Sequence, residues 1–253
     1  MIGLAGQAAL VTGAEVGIGR ATALALARDG ADVAVHYYSS EAGARETAQA
    51  IEALGRAAAV LQGDLTKSAD VARVVDGATG RFGHVDILVN NAGGILGRHA
   101  LVDTTEEFFH AVLDVNVLTT FLCCRAAAPC MIARKHGAIV NLTSLAAHNG
   151  GGPGASIYSA AKAAVFALTK AYGRELAPHG IRVNAVAPGL IGGTPFHATF
   201  TSPEAFAATI KTIPLGRAGE PDDVAKVIAF LAGDGAGFLT GETIEINGGM
   251  YVR

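Results

Sequence analysis

Short apolar runs, each followed by a segment of helical period, recur along most of the chain, and this alternation constrains the fold more than any single motif does. Residues 8–12 read as a strand and 18–28 as a helix; 32–37 and 41–54 repeat the pair, as do 57–62 and 69–82. A fourth strand at 86–90 precedes a long helical stretch from about 105 to 133. Then come a strand at 138–142, a helix at 157–177, a strand at 181–187, a helix at 222–231 and a last strand near 243–246. Strands that are apolar throughout belong to sheets covered on both faces, and the helix between each pair makes the strands parallel. Right-handed crossovers then give a doubly wound α/β sheet of the Rossmann type, mostly parallel, with its ligand crevice at the carboxyl ends of the strands. No linker or repeat divides the 253 residues, so 1–253 is expected to be one domain.

Composition narrows the function. With 51% hydrophobic and 16% charged residues the chain can build a large core. A net charge of −3 gives no reason to expect nucleic acid or an anionic membrane as partner. There is no signal-peptide pattern at the start, and no apolar run that reads as a membrane span. Cys123, Cys124 and Cys130 lie close together without disulfide or zinc spacing, and the eight histidines form no metal-binding pair. Reduced core thiols in a cytoplasmic protein, and no metal, are the expectation.

One stretch breaks the rhythm. Residues 189–214 hold no strand, several Gly, Pro and Thr, and one short helical segment at 203–211. A long loop at the carboxyl end of the sixth strand is a candidate substrate lid. His148 and His197, each in a loop at the crevice, are candidate pocket residues.

The first strand runs into "VTGAEVGIGRA", with Gly13, Gly17 and Gly19 spaced G-x3-G-x-G before a helix. Glycines at such a turn let the backbone approach a pyrophosphate, and the helix N-terminus presents free N–H groups to the anion. At the end of the second strand, Tyr37 stands where an acidic residue would select NAD. Ser39 and Ser40 could donate to a 2′-phosphate, while Glu15 and Val16 bring no positive charge. This favours NADP(H), with NAD(H) as the alternative. Asp64, after the third strand, is placed for an adenine amino group, and "NNAGG" at 90–94 for the nicotinamide riboside.

Tyr158 and Lys162 stand at i and i+4 on one helix face. A nearby cation favours phenolate, so Lys162 makes Tyr158 a usable general acid/base near neutral pH. Ser144, at the end of the buried strand "AIVNLTS", can orient a carbonyl oxygen; Thr143 then faces the other way. Asn116, mid-helix in "LDVNVLT", is neither favoured there nor needed for the fold, and could hold a water that joins Lys162 to solvent. The chemistry indicated is hydride transfer between a nicotinamide and a small-molecule carbonyl or secondary alcohol.

Taken in order, Thr12-Gly13-x3-Gly17-Ile18-Gly19, Asn90-Asn91-Ala92-Gly93, Asn116, Ser144, Tyr158-x3-Lys162, Pro188-Gly189 and Asn247-Gly248-Gly249 resemble the short-chain dehydrogenase/reductase family. The resemblance covers essentially the whole chain. It implies a seven-stranded Rossmann sheet, the catalytic tetrad Asn116, Ser144, Tyr158 and Lys162, and a homotetramer with contacts through the long helices containing Cys123 and Tyr158. It also implies cofactor contacts at Gly13, Glu15, Val16, Gly17, Ile18, Gly19, Tyr37, Ser39, Asp64, Leu65, Asn91, Ala92 and Gly93. Further contacts are implied at Tyr158, Lys162, Pro188, Gly189, Ile191 and Thr194. Within the family, "RVNAVAPG" and "TGETIEINGGMYVR" look like bacterial 3-oxoacyl-[acyl-carrier-protein] reductases, so the substrate is expected to be an acyl-carrier-bound ketone. Arg174 with Lys135 or Arg134 would match their basic carrier surface. Ser144 and Tyr158 are one residue further apart than the family usually has, and Thr194 comes one residue later; both additions border the substrate mouth. The alternatives are a sugar, polyol or other secondary-alcohol dehydrogenase and, in another class, a non-catalytic nucleotide-binding regulator.

Overall fold

The computed structural model describes residues 3–252, apart from the side chains of Phe196 and His197. Among these residues, seven strands form one sheet in the order β3-β2-β1-β4-β5-β6-β7. They are β1 Ala8–Val11, β2 Asp32–Tyr37, β3 Ala58–Gln62, β4 Ile87–Asn90, β5 Gly137–Leu142, β6 Ile181–Pro188 and β7 Thr243–Ile246. Every pairing is parallel, including β7 on β6, which goes beyond the mostly parallel sheet expected. The order reverses at β1, whose Val11 pairs with Val35 of β2 on one side and Val89 of β4 on the other. A doubly wound sheet opens its crevice at such a reversal.

Helices α1 Gly17–Arg28, α2 Glu41–Ala53 and α3 Ser68–Phe82 follow the first three strands. Alternation along β1 feeds two cores. Ala9 and Val11 join Leu26 of α1 on one face, and Leu10 joins Val74 of α3 on the other. Each fully buried Leu, Ile or Val contributes about 1.5–3 kcal/mol. On the first face, Ala23 and Ala27 of α1 meet a later helix bearing Ala225 and Ala229, all at most 2% exposed. Small side chains four apart let these two helices approach closely.

The helix expected from 105 to 133 is divided. α4 Glu106–Leu113 passes through a π-helical turn, Asp114–Leu118, into α5 Thr119–Arg134. At that turn the Thr119 N–H reaches the carbonyl of Asp114, five residues back. The hydropathy of residues 106–134 is enough for a membrane span by length and composition. In the fold α5 lies on the sheet, burying Leu122, Cys123, Cys124, Ala127 and Met131. Burial raises both thiols, Cys124 to about 12, which makes them inert packing groups.

The remaining helices are α6 Ala146–Asn149, α7 Ser156–Leu176, α8 Pro195–Phe200, α9 Pro203–Ile210 and α10 Pro221–Ala232. α6 and α8 are single turns that periodicity does not reveal. α9 starts where expected, with Ser202 accepting from the Ala205 N–H as its cap.

Candidate active site

The carboxyl ends of the strands open onto a cleft of about 1110 Å³. Its floor is the glycine loop between β1 and α1. Gly13 and Gly17 have φ of +62° and +57°, and a Cβ on Gly19 would fall 2.1 Å from the Gly13 carbonyl oxygen. The tight turn therefore requires glycine for two different reasons, backbone conformation and close approach.

Asn91 holds this loop. Its Nδ2 donates to the carbonyls of Thr12 (2.8 Å) and Gly13 (2.9 Å), and the Thr12 hydroxyl accepts from the N–H groups of Asn91 and Ala92. Asn90 donates instead to Asn141 Oδ1 at 2.8 Å. The Nδ2 groups of both amides are thus occupied by protein carbonyl oxygens, while Asn91 itself lines the cleft and Asn90 does not. Asn91, Ala92, Gly93 and Gly94 together line the cleft at the end of β4.

His36 is a site residue that the sequence reading missed. It lies in β2, 2% exposed, with Nδ1 accepting from the Gly13 N–H and Nε2 donating to the Gly63 carbonyl, each at 3.1 Å. Only the neutral ring can make both bonds, and burial lowers its pKa from 6.5 to about 4. A protonated ring would direct an N–H at another N–H. Because the folded pKa lies below the unfolded one, the unfolded chain binds the proton first, and stability falls as pH drops below 6.5 toward 4. Between pH 7 and pH 5 His36 should cost the fold about 2 kcal/mol. Urea unfolding of wild type and His36→Gln at both pH values measures this: the variant should lose that much less than the wild type. Equal losses would exclude His36 as the source.

The structure brings Ser144, Tyr158 and Lys162 together at the ends of β5 and α7. Ser144 hydrogen-bonds the half-buried Tyr158 phenol. Lys162 is 5% exposed; its Nζ donates to the Leu142 carbonyl at 2.9 Å and lies 5.8 Å from the Tyr158 ring centre. Thr143 also lines the cleft, but its hydroxyl is occupied: it donates to the Lys162 carbonyl at 3.0 Å, which fixes α7 on β5. Burial pushes the phenol above its usual pKa against the pull of Ser144, and pushes Lys162 down to about 8. Desolvation thus outweighs the phenolate-favouring effect expected of Lys162 in the protein alone.

Asn116 is fully buried on the π turn. Its Nδ2 donates to the carbonyls of Gly94 (2.8 Å) and Val112 (2.9 Å), and its Oδ1 accepts from the Gly94 N–H (3.1 Å). A Cβ on Gly93 would sit 2.6 Å from that Oδ1 and 3.3 Å from Lys162 Nζ. The amide therefore clamps the 93–94 backbone beside the lysine, and its donors are occupied.

Other expected residues divide. Glu15, Val16, Ile18, Asp64, Leu65, Pro188, Gly189, Ile191 and Thr194 line the cleft. Asp64 Oδ1 also accepts from the Thr66 N–H and hydroxyl. Tyr37 and Ser39 do not line it. Strand alternation puts His36 and Tyr38 on the cleft side and packs Tyr37 against the core near α1. His148 is also outside the lining: it pairs with Glu245 at 2.9 Å and stacks on Tyr251. The expectation for His197 lies outside the described residues. Arg134 pairs with Asp86 at 3.2 Å. It and Lys135 lie at the amino end of β5, away from this chain's own cleft.

The lid at 189–214 meets both sides of the cleft. Thr194 and Pro195 approach Gly17. Arg98, unforeseen from sequence, donates to the carbonyls of Phe200 (3.1 Å) and Pro153 (3.0 Å), joining the lid to the glycine segment that carries the extra residue.

Set beside known proteins, residues 13–251 match a family profile described as enoyl-(acyl carrier protein) reductase. The chain is 42% identical over 246 residues to the 3-oxoacyl-[acyl-carrier-protein] reductase FabG of Staphylococcus epidermidis, covering 97% of this chain and 99% of that one. The crystal structure of a short-chain type dehydrogenase/reductase from Mycobacterium marinum superposes with a TM-score of 0.90 at 36% identity, over 100% of this chain and 98% of that one. An NADH-dependent reductase responsible for alginate metabolism gives 0.91 at 31%, over the whole of both chains. The chain belongs to the short-chain dehydrogenase/reductase family. It is an NAD(P)-dependent oxidoreductase of the ketoreductase type.

Proposed function

We propose that the protein reduces 3-oxoacyl thioesters, as its Staphylococcus relative is named for doing. The observation that carries the reading is the hydrogen-bonded Ser144–Tyr158 pair beside the buried Lys162, all lining one cleft with the glycine loop. The cleft fits a nicotinamide dinucleotide. Its loop is shaped by glycines that a Cβ would fill, and the backbone at 92–94 is exposed to it. Bound and reduced, that cofactor supplies a hydride to the carbonyl carbon.

The chain's own groups handle the proton. Ser144 donates to the carbonyl oxygen and orients it; Tyr158 delivers its phenolic proton to the same oxygen, giving the alcohol. Lys162 stabilises the phenolate left behind. Asn116 acts as a positioning residue, holding Gly93 and Gly94 against Lys162. The Thr194 lid and Arg98 close the mouth. A homotetramer in the cytoplasm completes the proposal; exposed Phe109 and Phe121 on α4 and α5 suit an interface along those helices.

The cofactor preference is part of the reading. The expectation of NADP(H) uses Tyr37 in place of a carboxylate and Ser39 and Ser40 as donors to a 2′-phosphate, and none of the three lines the cleft.

Steady-state assays with acetoacetyl and longer 3-oxoacyl thioesters, crotonyl thioester, and a panel of sugars and polyols test the substrate. The expected result is turnover of the oxoacyl thioesters alone. Turnover of a sugar or polyol with none of any oxoacyl thioester would move the protein to the secondary-alcohol dehydrogenases. Crotonyl reduction alone would follow the family profile's description instead.

A further inference from the structure

After β7 the chain turns back on itself at Asn247-Gly248-Gly249. Gly248 and Gly249 both have positive φ, +66° and +87°. Asn247 locks the turn from inside: its Oδ1 accepts from the Gly249 N–H at 3.0 Å, and its Nδ2 donates to the Tyr251 carbonyl at 3.1 Å. The turn brings the next residue, Met250, to the wall of the cleft.

Sheet order puts Met250 at the substrate end. β7 is an edge strand, whereas the glycine loop follows β1 in the middle of the sheet. The Leu145 N–H donates to the Pro188 carbonyl at 3.0 Å, and the Gly189 N–H to the Ile246 carbonyl at 2.9 Å. The segments that leave β5, β6 and β7 therefore lie side by side, next to Ser144. From them Leu145, Leu190 and Met250 line the cleft. These side chains suit a hydrocarbon chain, while a hydroxylated substituent set against them would give up its hydrogen bonds to water. Methionine adapts its shape to such a partner.

Rings hold the tail in place. Tyr251 stacks on His148 of α6, with centroids 5.1 Å apart and planes at 12°. The His148 side chain is 12% exposed, meets Phe166 of α7 edge-on at 5.4 Å, and places Nε2 2.9 Å from Glu245 Oε1 of β7. One imidazole thus joins α6, α7, β7 and the tail. Its helix begins just past Ser144, whose Oγ accepts from the Ala146 N–H at 3.1 Å. Met250 is thereby set relative to the serine that orients the substrate carbonyl.

We infer that Met250 seats the apolar acyl tail of the substrate, and that His148 is a positioning residue that holds Met250 there through Tyr251. The inference rests on the proposal that the protein reduces 3-oxoacyl thioesters.

Steady-state kinetics with two coenzyme A thioesters, 3-oxooctanoyl and acetoacetyl, tests it, because only the first has a long tail to seat. Met250→Ala should raise the ratio of their KM values, read apart from kcat, about tenfold, the scale of a lost apolar contact. His148→Ala and Tyr251→Ala should each raise it as far, since either removes the stack. The variant carrying both His148→Ala and Met250→Ala should go no further than Met250→Ala, because two changes to one interaction do not add. Melting and NADH titration confirm that each variant folds and keeps the dinucleotide end of the cleft. An unchanged or lowered ratio in Met250→Ala overturns the seat. A ratio unchanged in His148→Ala or in Tyr251→Ala, or effects that multiply in the double variant, overturns the role of His148. If His148→Ala does not fold, Tyr251→Ala decides that role, and Met250→Ala still decides the seat. Failure of the wild type to turn over either thioester overturns the proposed function as well.

Discussion

Tyr158→Phe should reduce turnover by about 10²–10⁴-fold, the range of a positioned general acid, while the cofactor dissociation constant stays within about threefold. The substitution removes one oxygen from a half-buried ring and leaves the cleft walls in place. Its structural cost is the bond to Ser144, about 1 kcal/mol. The pH profile supplies a second readout. Lys162 titrates at about 8, so its charge is lost as pH rises through that value, and wild-type reduction should decline above it. The residual rate of Tyr158→Phe should lack that decline, because no phenolate remains to be stabilised. Wild-type turnover in Tyr158→Phe would remove the phenol from the mechanism.

Gly19→Ala should deform the glycine loop. The added Cβ would lie 2.1 Å from the Gly13 carbonyl oxygen and 2.6 Å from Asn91 Nδ2, the amide that holds the loop. Neither neighbour is the free end of a flexible side chain, so the loop itself shifts. We expect a loss of about 1–3 kcal/mol in stability, as for overpacking elsewhere, and at least about tenfold weaker dinucleotide binding. Gly80→Ala is the matched control. It lies in α3 with nothing within 4 Å of the new Cβ, and should be neutral or stabilising by about 0.5 kcal/mol. Chemical denaturation and NADH titration of both variants measure the contrast. Similar behaviour would mean that the close approach at Gly19 is not what shapes the loop.

How much of this was legible beforehand depended on how local the cause was. Gly13, Gly17 and Gly19 could be read because a strand-to-helix turn imposes its own residue types. Tyr158 and Lys162 could be read because helical spacing alone puts them on one face. The π turn at Asp114–Leu118 could not, since an apolar helix with one extra residue per turn has nearly the pattern of a regular one. Tyr37 was set in the cleft by counting along a strand, and the observed alternation gives that side to His36 and Tyr38. The partners of the Asn90 and Asn91 amide donors lie 51 and 79 positions away, which no local pattern reveals.

The sequence by itself determined the parallel doubly wound sheet, the glycine turn and the Tyr–Lys face, because strand burial, backbone freedom and helical period act within a few residues. Tertiary structure decided the rest. It made His36 a neutral bridge between two loops, made Asn116 a clamp on the 93–94 backbone, and braced the lid through Arg98. Each of these depends on desolvation and on partners distant in sequence, which come together only when the chain is folded.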